Sequence, residues 1–240
     1  MSHRWLVLRL EAPLMSFGGV AIDQVRPVRD FPAASMLTGM IGNALGWCWS
    51  DSTAHQSIQD RLIFATRIDR EGTLLTDTQN ALLARDDKGW TTRGVPEGRD
   101  GASYGAPHRR QRDYHADSSV NIALRLEPAA ELPALDSIAD ALDRPARPLF
   151  LGRKACLPSR PLLSSEPTRW VLGDTAHQAL CALPGGRERH RALWPAGEGP
   201  ETGVNVDRIV DMPDLRNWRT GLHSGSRRVI EGWIAPVAAT

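Results

Sequence analysis

The sequence predicts an α+β fold in which strands and helices follow one another in the order β-α-β-β-α. Apolar side chains alternate with other residues at residues 6–10 and 118–126, which is the period of a strand with one buried face. A short apolar run at residues 62–68 predicts another strand between these two. One further strand would complete a ferredoxin-like βαββαβ sandwich, the architecture of RNA-recognition (RRM) modules.

The first helix is expected after a loop at residues 11–34, which contains Phe17-Gly18-Gly19. Ser35 is the predicted N-cap, and apolar residues then recur at helical spacing from Leu37 to Cys48. Residues 51–61 predict a short helix or turn that leads into the second strand.

The elements after the third strand are a helix at residues 135–142 and a fourth strand, at either 148–151 or 169–172. Asp174 is expected to cap a short helix that ends near residue 183, and residues 204–210 alternate like a strand. We therefore expect residues 1–175 to form the ferredoxin-like domain and residues 176–240 to form a small C-terminal extension.

A long polar segment, residues 69–117, separates the second strand from the third. Its glycines and prolines exclude a regular helix, and structureless segments longer than about 12–15 residues are usually functional or disordered. Between residues 85 and 112 it carries a net charge of +3, whereas the whole chain carries +1. Its basic residues are Arg85, Lys88, Arg93, Arg99, Arg109, Arg110 and Arg112, and Trp90, Tyr104 and Tyr114 lie among them. Cations with interleaved aromatic residues suit a phosphate backbone with unstacked bases.

A second basic segment, residues 144–169, contains six cations and one acid. In it, Gly152 precedes the paired cations Arg153 and Lys154, directly after a short apolar run. This order favours a phosphate contact, although a charged run is also typical of a solvated surface. The Phe17-Gly18-Gly19 turn has two readings as well: Phe17 is either a stacking surface for a base or an ordinary core residue.

The composition excludes several classes of function. Cys48, Cys156 and Cys181 are widely spaced and odd in number, so neither a disulfide framework nor a zinc site is indicated. Nucleotide-binding and hydrolase motifs are absent from the sequence, so we expect no cofactor. No signal peptide precedes the first strand and no stretch is apolar enough to span a bilayer, which predicts a cytoplasmic protein.

Four motifs, in one order along the chain, resemble the Cas-five family subunit of type I-E CRISPR Cascade. They are Phe17-Gly18, the run from Arg26 to Gly46, the stretch from Arg112 to Ser118, and the segment from Phe150 to Cys156. The resemblance implies a RAMP fold whose long insertion, residues 69–117, forms a thumb. It also implies a non-catalytic subunit that grips the 5′ handle of the CRISPR RNA (crRNA) and caps one end of the Cascade backbone. Its neighbours would be a Cas-seven-type backbone subunit and the large PAM-recognising subunit, with target DNA bound in the assembled complex.

The candidate RNA-binding residues come from these motifs and from the two basic segments. They are Phe17, Arg26, Arg29, Arg109, Arg110, Arg112, Tyr114, Arg153, Lys154 and Arg160.

Two other functions stay open at this level. The chain could be a Cas-five-type endoribonuclease that processes precursor crRNA, since such cleavage needs a general acid and a general base. The residues available for it are Tyr104, His108, Tyr114 and His115. A purely structural adaptor is the third reading, and it would leave the basic insertion unexplained.

Overall fold

A computed structural model describes residues 2–21, 24–81, 108–165, 168–185 and 188–235. Between residues 82 and 107 it describes only the backbone of two short strands. The fold is mixed α/β, and its sheets are largely antiparallel.

Four helices and thirteen strands lie in the described parts of the chain. The helices are α1 (Ala34–Ala44), α2 (Ser52–Arg61), α3 (Leu135–Asp143) and α4 (Ala176–Cys181). The strands are β1 (His3–Glu11), β2 (Leu14–Met15), β3 (Val25–Arg26), β4 (Leu62–Arg70), β5 (Thr73–Ala81), β6 (Gly89–Trp90), β7 (Pro96–Glu97), β8 (His108–Ala116), β9 (Ser119–Leu126), β10 (Trp170–Gly173), β11 (His190–Pro195), β12 (Val206–Met212) and β13 (Arg227–Ile234).

A seven-stranded antiparallel sheet with the order β10-β1-β9-β4-β11-β13-β12 forms the centre of the molecule. Its register places Leu8 opposite Ile122 and Phe64 opposite Leu124, so these apolar residues share one face. Helices α1 and α2 lie between β1 and β4 in the chain, and α3 lies between β9 and β10.

The sheet has a core on each face. The larger core contains Leu6, Leu8 and Leu10 of β1, and apolar residues of α1, α2 and α3. The smaller core packs α4 against Trp5 and Trp194 on the opposite face. Alternation along β1 therefore supplies side chains to both cores, which explains why the strand is buried on both sides.

A long hairpin leaves this sheet between β4 and β9. Strands β5 and β8 pair over nine positions, from Thr73 opposite Ala116 to Ala81 opposite His108. The other edge of β8 pairs with β2 antiparallel and with β3 in parallel, which gives a second, four-stranded sheet. The sequence predicted one structureless segment at residues 69–117, and this was wrong for both of its ends. The cations Arg85, Lys88, Arg93 and Arg99 lie outside the described residues.

Two predicted helix caps differ from the structure, and one of two alternatives for a further strand is confirmed. Ser35 lies inside α1, whose N-cap position is Ala33. Of the two positions predicted for a further strand, the one at 169–172 is confirmed by β10, and residues 148–151 form no strand. Thr175 rather than Asp174 caps α4, because its side-chain oxygen accepts a hydrogen bond from the backbone N–H of Gln178.

The residues after 175 continue the central sheet, because β11 pairs with both β4 and β13. The predicted boundary near residue 175 therefore does not coincide with a break in the sheet. In the parts of the chain that the structure describes, every helix is too short or too polar to cross a membrane.

Candidate nucleic-acid interface

Four segments that the sequence singled out meet at the base of the hairpin. The backbone N–H of Ser16 donates to the carbonyl of Leu151 (3.0 Å), which joins the glycine turn to the second basic segment. The N–H of Gly19 donates to the carbonyl of Pro27 (3.0 Å), which joins the turn to the loop after β3. Strand β3 pairs with β8, so backbone contacts join all four motifs.

Arg153 holds these segments together. Its Nη1 donates to the carbonyl of Asp113 in β8 (3.0 Å), and its Nη2 donates to the carbonyl of Arg26 in β3 (3.1 Å). The guanidinium also lies 4.7 Å from the centre of the Tyr114 ring, within the range of a cation–π contact. Arg153 was predicted to contact phosphate, and two of its five N–H donors are used within the protein.

Gly152 lies at the closest backbone contact between these segments. Its φ is +103°, and a Cβ atom at this position would lie 1.7 Å from the carbonyl oxygen of Ser16. Only glycine adopts this conformation readily and leaves room for the neighbouring backbone. The glycine before the paired cations therefore serves to pack the loop at residues 151–156 onto the glycine turn.

The hairpin has two chemically different faces because successive side chains of a strand alternate. Arg110 and Arg112 share one face of β8 with Tyr114, whose ring Arg153 covers. Arg109 lies on the opposite face of the strand, with Gln111. The structure thus separates three arginines that are close neighbours in the sequence.

Strand β3 widens the Arg110 face. Arg26 is exposed and lies directly beside Arg112 in the parallel pair, so the two side chains are on the same side of the sheet. Asp77 of β5 is the residue opposite Arg112 on its other flank. We call Arg26, Arg110 and Arg112 the cationic row.

The remaining candidate cations lie around this row. Arg109 and Lys154 are exposed to solvent. Arg160 is half-exposed, and its Nη1 lies 3.5 Å from the Glu11 carboxylate. Arg29 differs from the others because its guanidinium donates to the Sδ of Met212 (3.0 Å) and to the carbonyl of Pro213 (2.9 Å). Its contacts are therefore with the protein.

The two aromatic candidates are buried. Phe17 is only 2% exposed, and its ring packs against His115 with 5.6 Å between the ring centres. Tyr114 is 5% exposed and belongs to the larger core. Neither ring is available to stack on a base in this conformation. For Phe17, the core alternative is the one that the structure shows.

The residues considered for acid–base catalysis do not form a pair in the described part of the chain. Tyr104 and the side chain of His108 lie outside the described residues. Tyr114 is buried, and Nε2 of His115 donates to the carbonyl of Arg29 (2.8 Å), because a carbonyl can only accept. The described residues also contain no group of three or more histidine, cysteine or acidic side chains that could hold a metal ion.

A buried thiol and a half-buried guanidinium near the interface have shifted pKa values. Burial raises the pKa of the Cys156 thiol, although the nearby Arg153 works against this. For Arg191, burial works to lower the pKa, and hydrogen bonds to Asp30 and Glu231 more than offset it, so the pKa lies above its ordinary value. Arg191 is therefore a permanent cation that anchors Asp30 of the β3–α1 loop.

The sequence did not predict the role of Asp214 as a helix cap or the structural role of His115. Asp214 is 3% exposed and accepts a hydrogen bond from the backbone N–H of Ala34 (3.1 Å), at the start of α1. These two residues are 180 positions apart, and no local pattern marks their contact. His115 was considered only for catalysis, and its ring supports the β3–α1 loop.

The chain matches a known protein family and a known protein. The family described as "CRISPR-associated protein (Cas_Cas5)" matches residues 5–230. The chain is 28% identical over 173 residues to "CRISPR system Cascade subunit CasD" of Escherichia coli (strain K12), and the match covers 70% of this chain and 75% of that protein.

Two solved structures share the fold. One, described as "CRISPR RNA-guided surveillance complex", matches with a TM-score of 0.66 at 23% identity and covers 98% of this chain and 93% of that chain. The other, "Crystal structure of Cas protein", matches with a TM-score of 0.61 at 21% identity, over 96% of this chain and 95% of that chain. Because the family match spans nearly the whole chain, the protein belongs to the Cas-five family of CRISPR-associated proteins.

Proposed function

We propose that this chain is a non-catalytic RNA-binding subunit of a type I-E CRISPR Cascade surveillance complex. It would grip the 5′ handle of the crRNA and cap one end of the Cascade backbone, in the cytoplasm, as part of antiviral defence. The similarity to a protein named as a Cascade subunit supports membership of such a complex.

The cationic row is the observation that carries RNA binding. Arg110 and Arg112 are two residues apart on one strand, so their side chains leave the sheet about 6.6 Å apart and on the same side. Arg26 adds a third guanidinium next to Arg112. Guanidinium groups bind phosphate oxygens in a bidentate manner, and a regular row of them suits an extended RNA backbone.

Other candidate residues extend or support this row. Lys154 would add a phosphate contact. Arg109 and Arg160 would contact only the part of the RNA that extends beyond the cationic row. Arg153 and Tyr114 would fix the geometry of β8, and Phe17 and Arg29 would fix the loops beside it. The acidic side chain of Asp77 beside Arg112 limits the positive charge, which favours a local contact over nonspecific binding.

We interpret the central strands β10-β1-β9-β4 as the ferredoxin-like βαββαβ core. Their order, with helices between β1 and β4 and between β9 and β10, supports this interpretation. The β5–β8 hairpin then corresponds to a thumb inserted between the second and third strands. The Cas-seven-type backbone subunit, the large PAM-recognising subunit and target DNA would be partners in the complex.

The absence of catalysis is part of the proposal. Of the four residues considered for cleavage, the two whose side chains are described are buried or engaged in backbone contacts. A Cas-five-type endoribonuclease that processes precursor crRNA is the alternative.

Recovery of bound RNA tests the proposed function. The tagged full chain would be expressed in a host that carries the CRISPR array and the Cascade genes, and the RNA that co-purifies would be sequenced after light nuclease treatment. We expect crRNAs whose 5′ repeat-derived segment is protected. Recovery of unrelated RNAs, or of none above an untagged control, would contradict the proposal.

A further inference from the structure

Helix α1 is capped by a residue from the far end of the chain. The N-cap position is Ala33, whose side chain cannot accept a hydrogen bond. Oδ2 of Asp214 accepts the N–H of Ala34 (3.1 Å), and the carbonyl of Asp214 accepts the N–H of Ser35 (3.1 Å). Asp214 therefore satisfies two donors that the helix itself cannot, and its negative charge is favourable at a helix N-terminus.

Arg227 holds Asp214 in place. Its Nε donates to both carboxylate oxygens of Asp214 (3.1 and 2.9 Å), and its guanidinium lies 4.1 Å from the centre of the Phe64 ring. The Asp214 side chain is 1% exposed. The carboxylate is therefore held by hydrogen bonds from Arg227 and from the N–H of Ala34.

The residues just before Asp214 hold the loop that precedes α1. Arg29 donates to Met212 and Pro213, while its own carbonyl accepts from His115 of β8. The loop at residues 27–33 thus lies between the 212–214 segment and the hairpin.

This loop cannot fix its own conformation. Residues 27–33 include two prolines and form no regular strand or helix, so their backbone order depends on contacts from other segments. The loop follows directly after Arg26, which belongs to the cationic row. Loss of the anchor at its far end would therefore loosen the loop and leave the place of Arg26 to the β3–β8 pair and to Arg153.

We propose that Asp214 is a positioning residue for RNA binding: it sets the β3–α1 loop, and through it the place of Arg26 in the cationic row. The inference rests on the proposed function and assigns a role in it to the C-terminal strands. Asp214 does not touch the RNA itself, because its carboxylate is fully enclosed by protein.

Two substitutions separate positioning from stability. Asp214→Ala removes both the cap acceptor and the partner of Arg227. Asp214→Asn keeps a side-chain oxygen that can accept from Ala34, and replaces the charge and the second acceptor oxygen by an amide NH2. Both variants should lower the unfolding midpoint, since both leave Arg227 without its carboxylate. Only Asp214→Ala should weaken binding of repeat-derived single-stranded RNA by the folded protein, by at least about fivefold.

Glu198 provides a matched control on the opposite face of the sheet. Its carboxylate accepts the N–H of Ala176 at the start of α4 (2.8 Å) and pairs with Arg125 (2.7 Å), so it repeats the chemistry of Asp214 far from the cationic row. Glu198→Ala should lower stability and leave RNA affinity unchanged.

The measurements are fluorescence anisotropy with labelled repeat RNA, and hydrogen exchange of residues 26–35. We expect faster exchange of this segment in Asp214→Ala than in Asp214→Asn. Equal RNA affinity of Asp214→Ala and the unmodified chain would overturn the inference, as would an equal loss in Glu198→Ala. If the unmodified chain binds no repeat RNA, the proposed function fails first, and that outcome is distinct from a failure of Asp214 alone.

Discussion

Gly152 and Ser16 are in backbone contact so close that no side chain fits between them. A Cβ atom on Gly152 would lie 1.7 Å from the carbonyl oxygen of Ser16, and Gly152 has a φ of +103°. The contact joins two loops that are far apart in the sequence, and both border the cationic row.

We therefore predict that Gly152→Ala is much more destabilising than a glycine-to-alanine substitution that introduces backbone strain but no steric clash. Gly203 is the matched control, because its φ is +122° and a Cβ atom there would meet nothing within 4 Å. Gly203→Ala should cost about 1–2 kcal/mol from strain. Gly152→Ala should cost more than about 3 kcal/mol, since backbone must also move. Urea unfolding measures both, and equal losses would contradict this account of Gly152.

The two faces of the hairpin predict unequal effects of neighbouring arginines. Replacing Arg110 and Arg112 together by glutamine should weaken binding to single-stranded RNA and reduce the slope of log affinity against log salt by about 1.4, the value for two lost phosphate contacts. Arg109→Gln, on the other face and outside the row, should leave the slope unchanged for an RNA short enough to contact the row alone. Titrations at several salt concentrations measure these slopes. If Arg109→Gln lowers the slope as much per residue as the double variant does, RNA contact is not confined to one face of the hairpin.

We predict that the purified protein does not cleave precursor crRNA. Nε2 of His115 is engaged with a backbone carbonyl and Tyr114 is buried, so neither is presented to a scissile phosphate. Incubation with RNA that contains the repeat should give no discrete product on a gel. A product that disappears in His115→Ala, His108→Ala or Tyr104→Phe would instead support the endoribonuclease.

We predict that the folded protein loses stability in mild acid because of His177. Burial lowers the pKa of this residue below its ordinary value of 6.5, and its ring packs edge-on against Trp194. The unfolded chain therefore binds a proton more readily than the folded protein does. The contribution of His177 is complete above the unfolded-state pKa and is lost as the pH falls below about 6.5.

Urea unfolding at neutral pH and in mild acid tests this linkage. His177→Gln should lose less stability between the two conditions than the unmodified chain does. His223→Gln is the control, because His223 is exposed. The same acid-dependent loss in His177→Gln and the unmodified chain would rule out the linkage.

The sequence predicted the elements whose pattern is local. Strands β1, β4 and β9 and helices α1, α2 and α3 are all confirmed, with ends that differ by a few residues. Their periodic apolar residues reflect one buried face, and this signal needs no knowledge of the partner element. The family also followed from sequence, because its motifs are contiguous runs in a fixed order.

The roles of individual site residues could not be predicted in the same way. Phe17 and Tyr114 have the residue types of base-stacking contacts, and the tertiary structure buries both. Arg109 and Arg110 are adjacent in the sequence, and the register of β8 places them on opposite faces. Residue type indicates which groups a side chain can bind, whereas burial and strand register decide which groups it contacts.

The sequence by itself determined the α+β class, the positions of most elements, the concentration of basic charge and the family. Only the tertiary structure decided that Arg26 stands beside Arg112, that Gly152 packs on Ser16, and that Asp214 caps α1 from 180 positions away. These contacts join segments that are distant in the chain. They arise from strand pairing and core packing, which bring together residues that carry no shared local pattern.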